Sequence, residues 1–274
     1  MIKDLKDKVV VITGAASGIG RATALAFARK GAHIAAADLN ESALATLKQD
    51  IKAMGVQCLT AKLDVAQADD VKTFAAHVEA TLGVPHVVVN NAGIAYLGKF
   101  LDMDLAHWRS TCDVNLMGVV HGCYHFLPGM RKAGGTRHIL NVASAAGNYP
   151  APSMAAYAAS KAAVLRFTDV LQLELHGTNV HAAAVCPGVI NTPIATARDK
   201  MAVSDAQARR LAEYYRTKGC SPDVVAQDMV RAVQQGWDIV LTGPAARLGY
   251  HARRLSLRLA RWVTLQLAPK IGYL

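Results

Sequence analysis

Long apolar runs, paired cysteines and low-complexity tracts are all missing from this 274-residue chain. The opening segment, MIKDLKDKVV, has no apolar core of signal-peptide length, and a cytoplasmic location is the expectation. The uncharged stretches 138–160 and 175–197 are studded with Asn, Ser, Gly, Pro or Thr, so neither reads as a membrane span. The five cysteines (Cys58, Cys112, Cys123, Cys186, Cys220) are odd in number, scattered and without a CxxC pair. That argues against a disulfide framework and fits a reducing compartment. Charged residues are few, 18% against 52% hydrophobic, which excludes an intrinsically disordered chain. Glycine (21) and proline (9) are too ordinary in number for a collagen-like or mucin-like class. Acids are outnumbered by bases, 20 to 30, and the net charge of +10 leaves nucleic acid, a membrane surface or an anionic ligand to be weighed.

What the chain does have is regular alternation. Strand-like runs at 8–13, 33–37, 56–61, 86–90, 137–142, 179–185 and 238–242 are separated by helical patterns, chiefly at 18–30, 41–54, 67–82, 104–132, 155–176 and 223–235. Several strands are apolar throughout, as a sheet covered on both faces requires. Alternating β and α elements imply right-handed crossovers and a doubly wound parallel sheet of Rossmann type, in three α/β/α layers. No linker or repeat interrupts 1–243, which is read as one domain followed by a C-terminal extension, 244–274.

The first strand runs into Thr13-Gly14-Ala15-Ala16-Ser17-Gly18-Ile19-Gly20, and a helix begins inside this turn. Glycines let a backbone approach a pyrophosphate that the helix N-terminus attracts. The spacing G-x-x-x-G-x-G is weak alone, but its place at the first βα junction strengthens it. Asp38 ends the second strand, where an acid accepts from a ribose 2′-OH and repels a 2′-phosphate. It would otherwise serve as a helix cap, a role that Asn40 or Ser42 fills equally well. Ala16, Ser17 and Leu39 offer no cation, so NAD is favoured over NADP.

Further on come Asn90-Asn91-Ala92-Gly93, Asn115, Ser144, Tyr157-Ala158-Ala159-Ser160-Lys161 and Pro187-Gly188-Val189-Ile190-Asn191-Thr192. Tyr157 and Lys161 are four apart and share a helix face. A phenol has a pKa near 10; lowering it by about three units takes roughly 4 kcal/mol, which a close ammonium in a partly buried site supplies. Tyr157 is thereby read as a general acid or base near neutral pH. Ser144, at a strand end, is placed to hydrogen-bond a substrate oxygen as charge develops on it.

Taken in order, these motifs resemble the short-chain dehydrogenase/reductase family, in its single-domain branch, over about 8–242. The resemblance implies a catalytic set of Asn115, Ser144, Tyr157 and Lys161, with Asn115 fixing a relay water and Lys161 also holding the nicotinamide ribose. It further implies Asp64 and Val65 beside the adenine, Asn90, Ala92 and Gly93 near the cofactor, and Pro187, Gly188, Ile190 and Thr192 at the carboxamide end. Segment 193–220 matches the family's variable substrate lid. Assembly as a homodimer or homotetramer, through 104–132 and 155–176, is also implied.

No metal site is expected. In His121-x-Cys123-x-His125 the cysteine points away from both histidines at helical spacing. Asp69-Asp70 and Asp102/Asp104 read as helix-start residues. The tail holds six cations, Arg247, Arg253, Arg254, Arg258, Arg261 and Lys270, and no acid, leaving only +4 for residues 1–243. Nucleic-acid binding is accordingly not expected. As one helix, the tail sets Arg247, His251, Arg254, Arg258 and Arg261 beside Leu248, Ala252, Leu255, Leu259, Trp262, Val263 and Leu267. Such a helix suits peripheral membrane contact through 247–267, and equally suits packing on its own domain or on a sister subunit. The main expectation is NAD-linked interconversion of a secondary alcohol and a ketone on a lipid-, acyl-, retinoid- or steroid-like substrate, with Arg198, Arg209, Arg210 or Arg216 meeting an acyl head group. The alternatives are an NADP-linked 3-oxoacyl reductase and a non-catalytic cofactor-binding regulator.

Overall fold

A computed structural model of the chain describes residues 1–195, 197 and 200–273. Arg198, and the side chains of Ala195, Arg254 and Leu259, lie outside the described residues.

The apolar runs become strands β1 (Val9–Thr13), β2 (His33–Asp38), β3 (Cys58–Lys62), β4 (Val87–Asn90), β5 (Arg137–Val142), β6 (Val180–Pro187) and β7 (Ile239–Thr242). They form one seven-stranded sheet in the order β3-β2-β1-β4-β5-β6-β7, and every pairing is parallel. The helices are α1 (Gly18–Ala28), α2 (Glu41–Lys52), α3 (Ala68–Leu82), α4 (Leu105–Cys112), α5 (Gly118–Lys132), α6 (Ala155–Glu174), α7 (Asp205–Lys218), α8 (Pro222–Gln235), α9 (Pro244–Leu255) and α10 (Leu257–Ile271).

Strand periodicity explains why β1 is apolar from Val9 to Ile12. Its side chains alternate between two buried layers. Val10 and Ile12 join Phe27, Leu47, Met229 and Val233 on one face, while Val9 and Val11 join Phe74, Phe126, Met130 and Val164 on the other. Burying Phe27 or Phe126 removes a large apolar side chain from water, worth on the order of 2–3 kcal/mol each. The strand order reverses direction between β1 and β4, and the carboxyl ends of those strands open a crevice there.

Two elements depart from the sequence expectation. The helix anticipated over 104–132 is α4 and α5 joined by a π-helical turn, Asp113–Met117. The tail is two helices rather than one: Ser256 adopts an extended conformation (φ −158°, ψ 115°) that breaks the helical path between α9 and α10. A third, smaller apolar cluster lies under this tail, where Ala95, Leu97, Met154 and Leu211 meet Ile271 and Tyr273.

Candidate active site

At the end of β1 the chain must turn sharply into α1, and Gly20 makes the turn possible. A Cβ at Gly20 would stand 2.1 Å from the carbonyl oxygen of Gly14 and 2.6 Å from Asn91 Nδ2. The Asn91 amide ties this turn to the next strand, donating to the carbonyls of Thr13 (2.9 Å) and Gly14 (3.2 Å). Thr13 returns the tie by accepting from the backbone of Asn91 and Ala92. Ser17, the N-cap of α1, makes no side-chain capping bond, and no acid occupies the first turn. The first amides of α1 therefore keep donor capacity for an anion. Asp38 braces the same turn: its carboxylate accepts from the backbone of Ala16 (3.0 Å) and Asn40 (3.0 Å). Capping of α2 falls to Asn40, through Ala43, so Asp38 is not consumed as a cap.

Beyond β5 the chain makes a short 3-10 turn, Ala145–Gly147, capped by the Ser144 hydroxyl, which accepts from Ala146 N at 3.1 Å. Gly147 brings this turn directly onto α6, since a Cβ there would sit 2.9 Å from the backbone of Lys161 and Ala162. Ser144 is by this means set against Tyr157. Lys161 is buried, and its ammonium donates to Val142 O at 2.7 Å, with Nζ 5.9 Å from the centre of the Tyr157 ring. Burial lowers Lys161 from its usual value to about 8. It also pushes the Tyr157 phenol up, and the hydrogen bond with Ser144 works in the opposite direction. The direction for Tyr157 is the reverse of the sequence expectation. Desolvation of the phenolate outweighs the Ser144 hydrogen bond, while the neighbouring ammonium is itself buried and donates to a carbonyl.

Ser144, Tyr157 and Lys161 share one cavity of about 650 Å³ with the glycine turn. Of the residues singled out for the cofactor, Gly14, Ser17, Gly18, Ile19, Gly20, Asp38, Ala92, Gly93, Pro187, Gly188, Ile190 and Thr192 line it as well. Four of the expected residues do not. Asn90 is turned into the core, donating to Asn141 Oδ1 at 2.8 Å, because consecutive strand residues face opposite ways and Asn91 takes the cavity side. Asn115 is buried behind the wall in the π-helical turn, clamping Ile94 through its amide (Ile94 N to Oδ1, 2.8 Å; Nδ2 to Ile94 O, 2.9 Å). Asp64 accepts locally from Ala66 N, and Val65 is buried, its carbonyl 2.9 Å from His121 Nδ1. Cys123 is buried against Asn90 and Asn141. No cluster of metal-ligating side chains occurs among the described residues.

The lid departs from expectation in chemistry. Arg209 and Arg210 are exposed on α7 and Arg216 is paired with Glu213, so among the described residues tyrosines rather than arginines face the cavity: Tyr214 and Tyr215 from α7, with Tyr149 and Tyr273. The Tyr215 and Tyr273 hydroxyls meet at 2.5 Å, and Ser153 Oγ donates to Tyr273 O. These two bonds fasten the tail to the lid and to the loop before α6. The tail also walls the cavity with Leu248, Ala252, Ala260, Val263, Leu267 and Ile271. The sequence offers a partial signal for this wall, since 260, 263, 264, 267, 268 and 271 follow helical spacing, but the spacing does not say what they cover.

The family model for short chain dehydrogenases matches residues 8–202. The probable oxidoreductase EphD of Mycobacterium tuberculosis is 39% identical over 256 residues, which is 91% of this chain and 43% of EphD. The chain thus spans less than half the length of that relative. The putative oxidoreductase SadH, also of Mycobacterium tuberculosis, is 36% identical over 250 residues, 90% of each chain. Among solved structures, a short-chain dehydrogenase/reductase from Burkholderia phymatum in complex with NAD superposes with a TM-score of 0.87 at 32% identity, covering 93% of this chain and 96% of the other. The alcohol dehydrogenase of the archaeon Thermococcus sibiricus, complexed with 5-hydroxy-NADP, gives 0.70 at 27% identity over 82% and 89%. With its seven-stranded parallel sheet, its glycine turn at the switch point and a family match across most of its length, this chain belongs to the short-chain dehydrogenase/reductase family of oxidoreductases.

Proposed function

We propose that this chain interconverts a secondary alcohol and a ketone on a bulky apolar substrate, using NAD in preference to NADP. The observation that carries the reading is a single cavity whose one end is the glycine turn with Asp38, whose middle is Ser144, Tyr157 and Lys161, and whose far walls are apolar. The cradle fits a dinucleotide because Gly20 allows the tight turn, where a Cβ would strike the Gly14 carbonyl, and the first amides of α1 stay uncapped by any side chain. Gly14, Ser17, Gly18, Ile19 and Gly20 would hold the pyrophosphate, Asp38 the adenosine ribose, Lys161 the nicotinamide ribose, and Ile190 and Thr192 the carboxamide. A bound nicotinamide supplies or accepts the hydride.

The chain's own residues manage the proton. With its pKa raised, the Tyr157 phenol is protonated at neutral pH, the form that donates to a carbonyl oxygen during reduction. In the oxidative direction the same oxygen must be deprotonated, so oxidation rises with pH. The Ser144 hydroxyl hydrogen-bonds the reacting oxygen, and the Lys161 charge favours the phenolate when it forms. Asn115, one layer behind, holds the backbone at Ile94 that follows the Asn91-Ala92-Gly93 wall.

The NADP-linked alternative draws support from the 5-hydroxy-NADP bound by the Thermococcus sibiricus relative. Asp38 weighs against it. Its carboxylate is fixed by two backbone amides at the cavity wall, where it repels a 2′-phosphate. Titration of the purified chain with NADH and NADPH, followed by nicotinamide fluorescence, tests this. Tighter binding of NADH is expected, and tighter binding of NADPH contradicts the reading.

A further inference from the structure

The cavity opens to the outside through the tail. Leu248, Val263 and Leu267 line the cavity and are also exposed, so they form the apolar side of its mouth. Around that mouth the tail carries more apolar surface than packing uses: Leu248 is 73% exposed, Leu255 86%, Trp262 60% and Leu265 60%. Each helix has two working faces. On α10, Ala260, Val263, Leu267 and Ile271 turn inward to the cavity, whereas Arg258, Arg261, Trp262 and Leu265 turn outward. The outward surface is basic without exception in sequence, as residues 244–274 contain six cations and no acid. Exposed Trp and Leu between arginines, on helices too short and too charged to span a bilayer, have the chemistry that inserts shallowly at a lipid headgroup boundary. The sign of the charge selects anionic headgroups.

We infer that the outer face of α9 and α10 docks on an anionic lipid surface, with the cavity mouth between its exposed leucines turned toward that surface as the entry for substrate. A large apolar ligand then passes from the acyl boundary to Ser144 and Tyr157 without crossing water. The entry half of this inference rests on the apolar substrate proposed above; the docking half does not.

The test is flotation of the full chain with vesicles of phosphatidylcholine alone or phosphatidylcholine mixed with phosphatidylserine. Wild type is expected to float with the anionic vesicles, to be released by high salt, and to stay unbound with the neutral ones. Arg258→Gln with Arg261→Gln should weaken binding on the order of tenfold or more. Trp262→Glu with Leu265→Glu should abolish it. Both pairs should keep wild-type melting temperature and turnover of a short, water-soluble secondary alcohol, since none of the four side chains lines the cavity. The inference is overturned if wild type stays unbound with anionic vesicles, if it floats equally with neutral ones, or if the variants float like wild type. It is overturned also if the Trp262/Leu265 pair instead splits an oligomer formed in lipid-free buffer, which would make this face a subunit contact. A chain that floats but oxidises no alcohol retains the docking and removes the substrate entry with the functional reading beneath it.

Discussion

Tyr157 and Lys161 lie one helical turn apart, yet burial moves both away from their charged forms, the phenol upward and the amine to about 8. In the proposed reaction, a pair held this way needs its proton handled within the cavity rather than by solvent. Replacing Tyr157 by Phe is expected to cut turnover by on the order of 10²–10⁴-fold, the usual worth of a positioned acid or base, while NADH binding stays near wild type. Steady-state assays beside fluorescence titration measure the two separately. Asp38→Asn removes the charge opposite a 2′-phosphate, and the NADPH-to-NADH affinity ratio should rise on the order of tenfold or more. Much of this was legible in the sequence, because Gly20, Ser144, Tyr157 and Lys161 combine motif spacing with residue types that have few other uses together. The direction of the Tyr157 shift was not. It depends on how much water the fold removes from the phenol and on the carbonyl of Val142 that accepts a hydrogen bond from the Lys161 ammonium, neither of which spacing reports. Asn90 misled for a geometric reason: one step along β4 exchanges the cavity face for the core face.

At the scale of elements, α7, α9 and α10 turn a general dinucleotide fold into an enclosed apolar chamber. The hydroxyl pair Tyr215–Tyr273 and the bond from Ser153 to Tyr273 O fix that enclosure. Tyr273→Phe deletes one hydrogen bond of about 1 kcal/mol. It is expected to raise KM for long-chain alcohols several-fold and leave short ones unchanged, as kinetics across a chain-length series would report. Gly20→Ala should abolish cofactor binding, since its methyl collides with the Gly14 carbonyl rather than with a yielding side-chain tip; equilibrium titration with NADH checks this. Most of the strands were readable because a doubly covered parallel sheet writes itself as largely apolar runs, as in β1 and β4. Two features were not. The π-helical turn at Asn115 has helical composition, and only its side-chain clamp on Ile94 marks it. The break at Ser256 sits inside an amphipathic pattern that continues through it, so periodicity reads one helix where backbone geometry makes two.

For the molecule as a whole, the sheet order opens a crevice between β1 and β4, where the proposed reaction would run, and leaves the opposite ends of the strands to stability. His138 on β5 illustrates the cost there. It is buried, neither ring nitrogen has a hydrogen-bond partner among the described residues, and burial, followed by His181 and the chain N-terminus, lowers it to about 3. His86 falls to about 4 through burial, Arg137 and Lys8. Both take up protons more readily in the unfolded chain, so their stabilising effect is complete above about pH 6.5 and is lost as pH falls toward 3–4. His138 alone should lower unfolding free energy by about 2–3 kcal/mol between pH 7 and pH 4.5. Denaturant melts of wild type and His138→Leu should show a flatter acid limb in the variant. The positive charge of the chain likewise resolves by location, +4 across residues 1–243 and +6 in the helices that flank the cavity mouth. NAD-linked carbinol chemistry on large apolar substrates is tested by kcat/KM for secondary alcohols of increasing chain length, assayed by NAD reduction. A rise with chain length that Tyr157→Phe abolishes is expected; activity confined to small polar alcohols, or undiminished in that variant, rules this chemistry out.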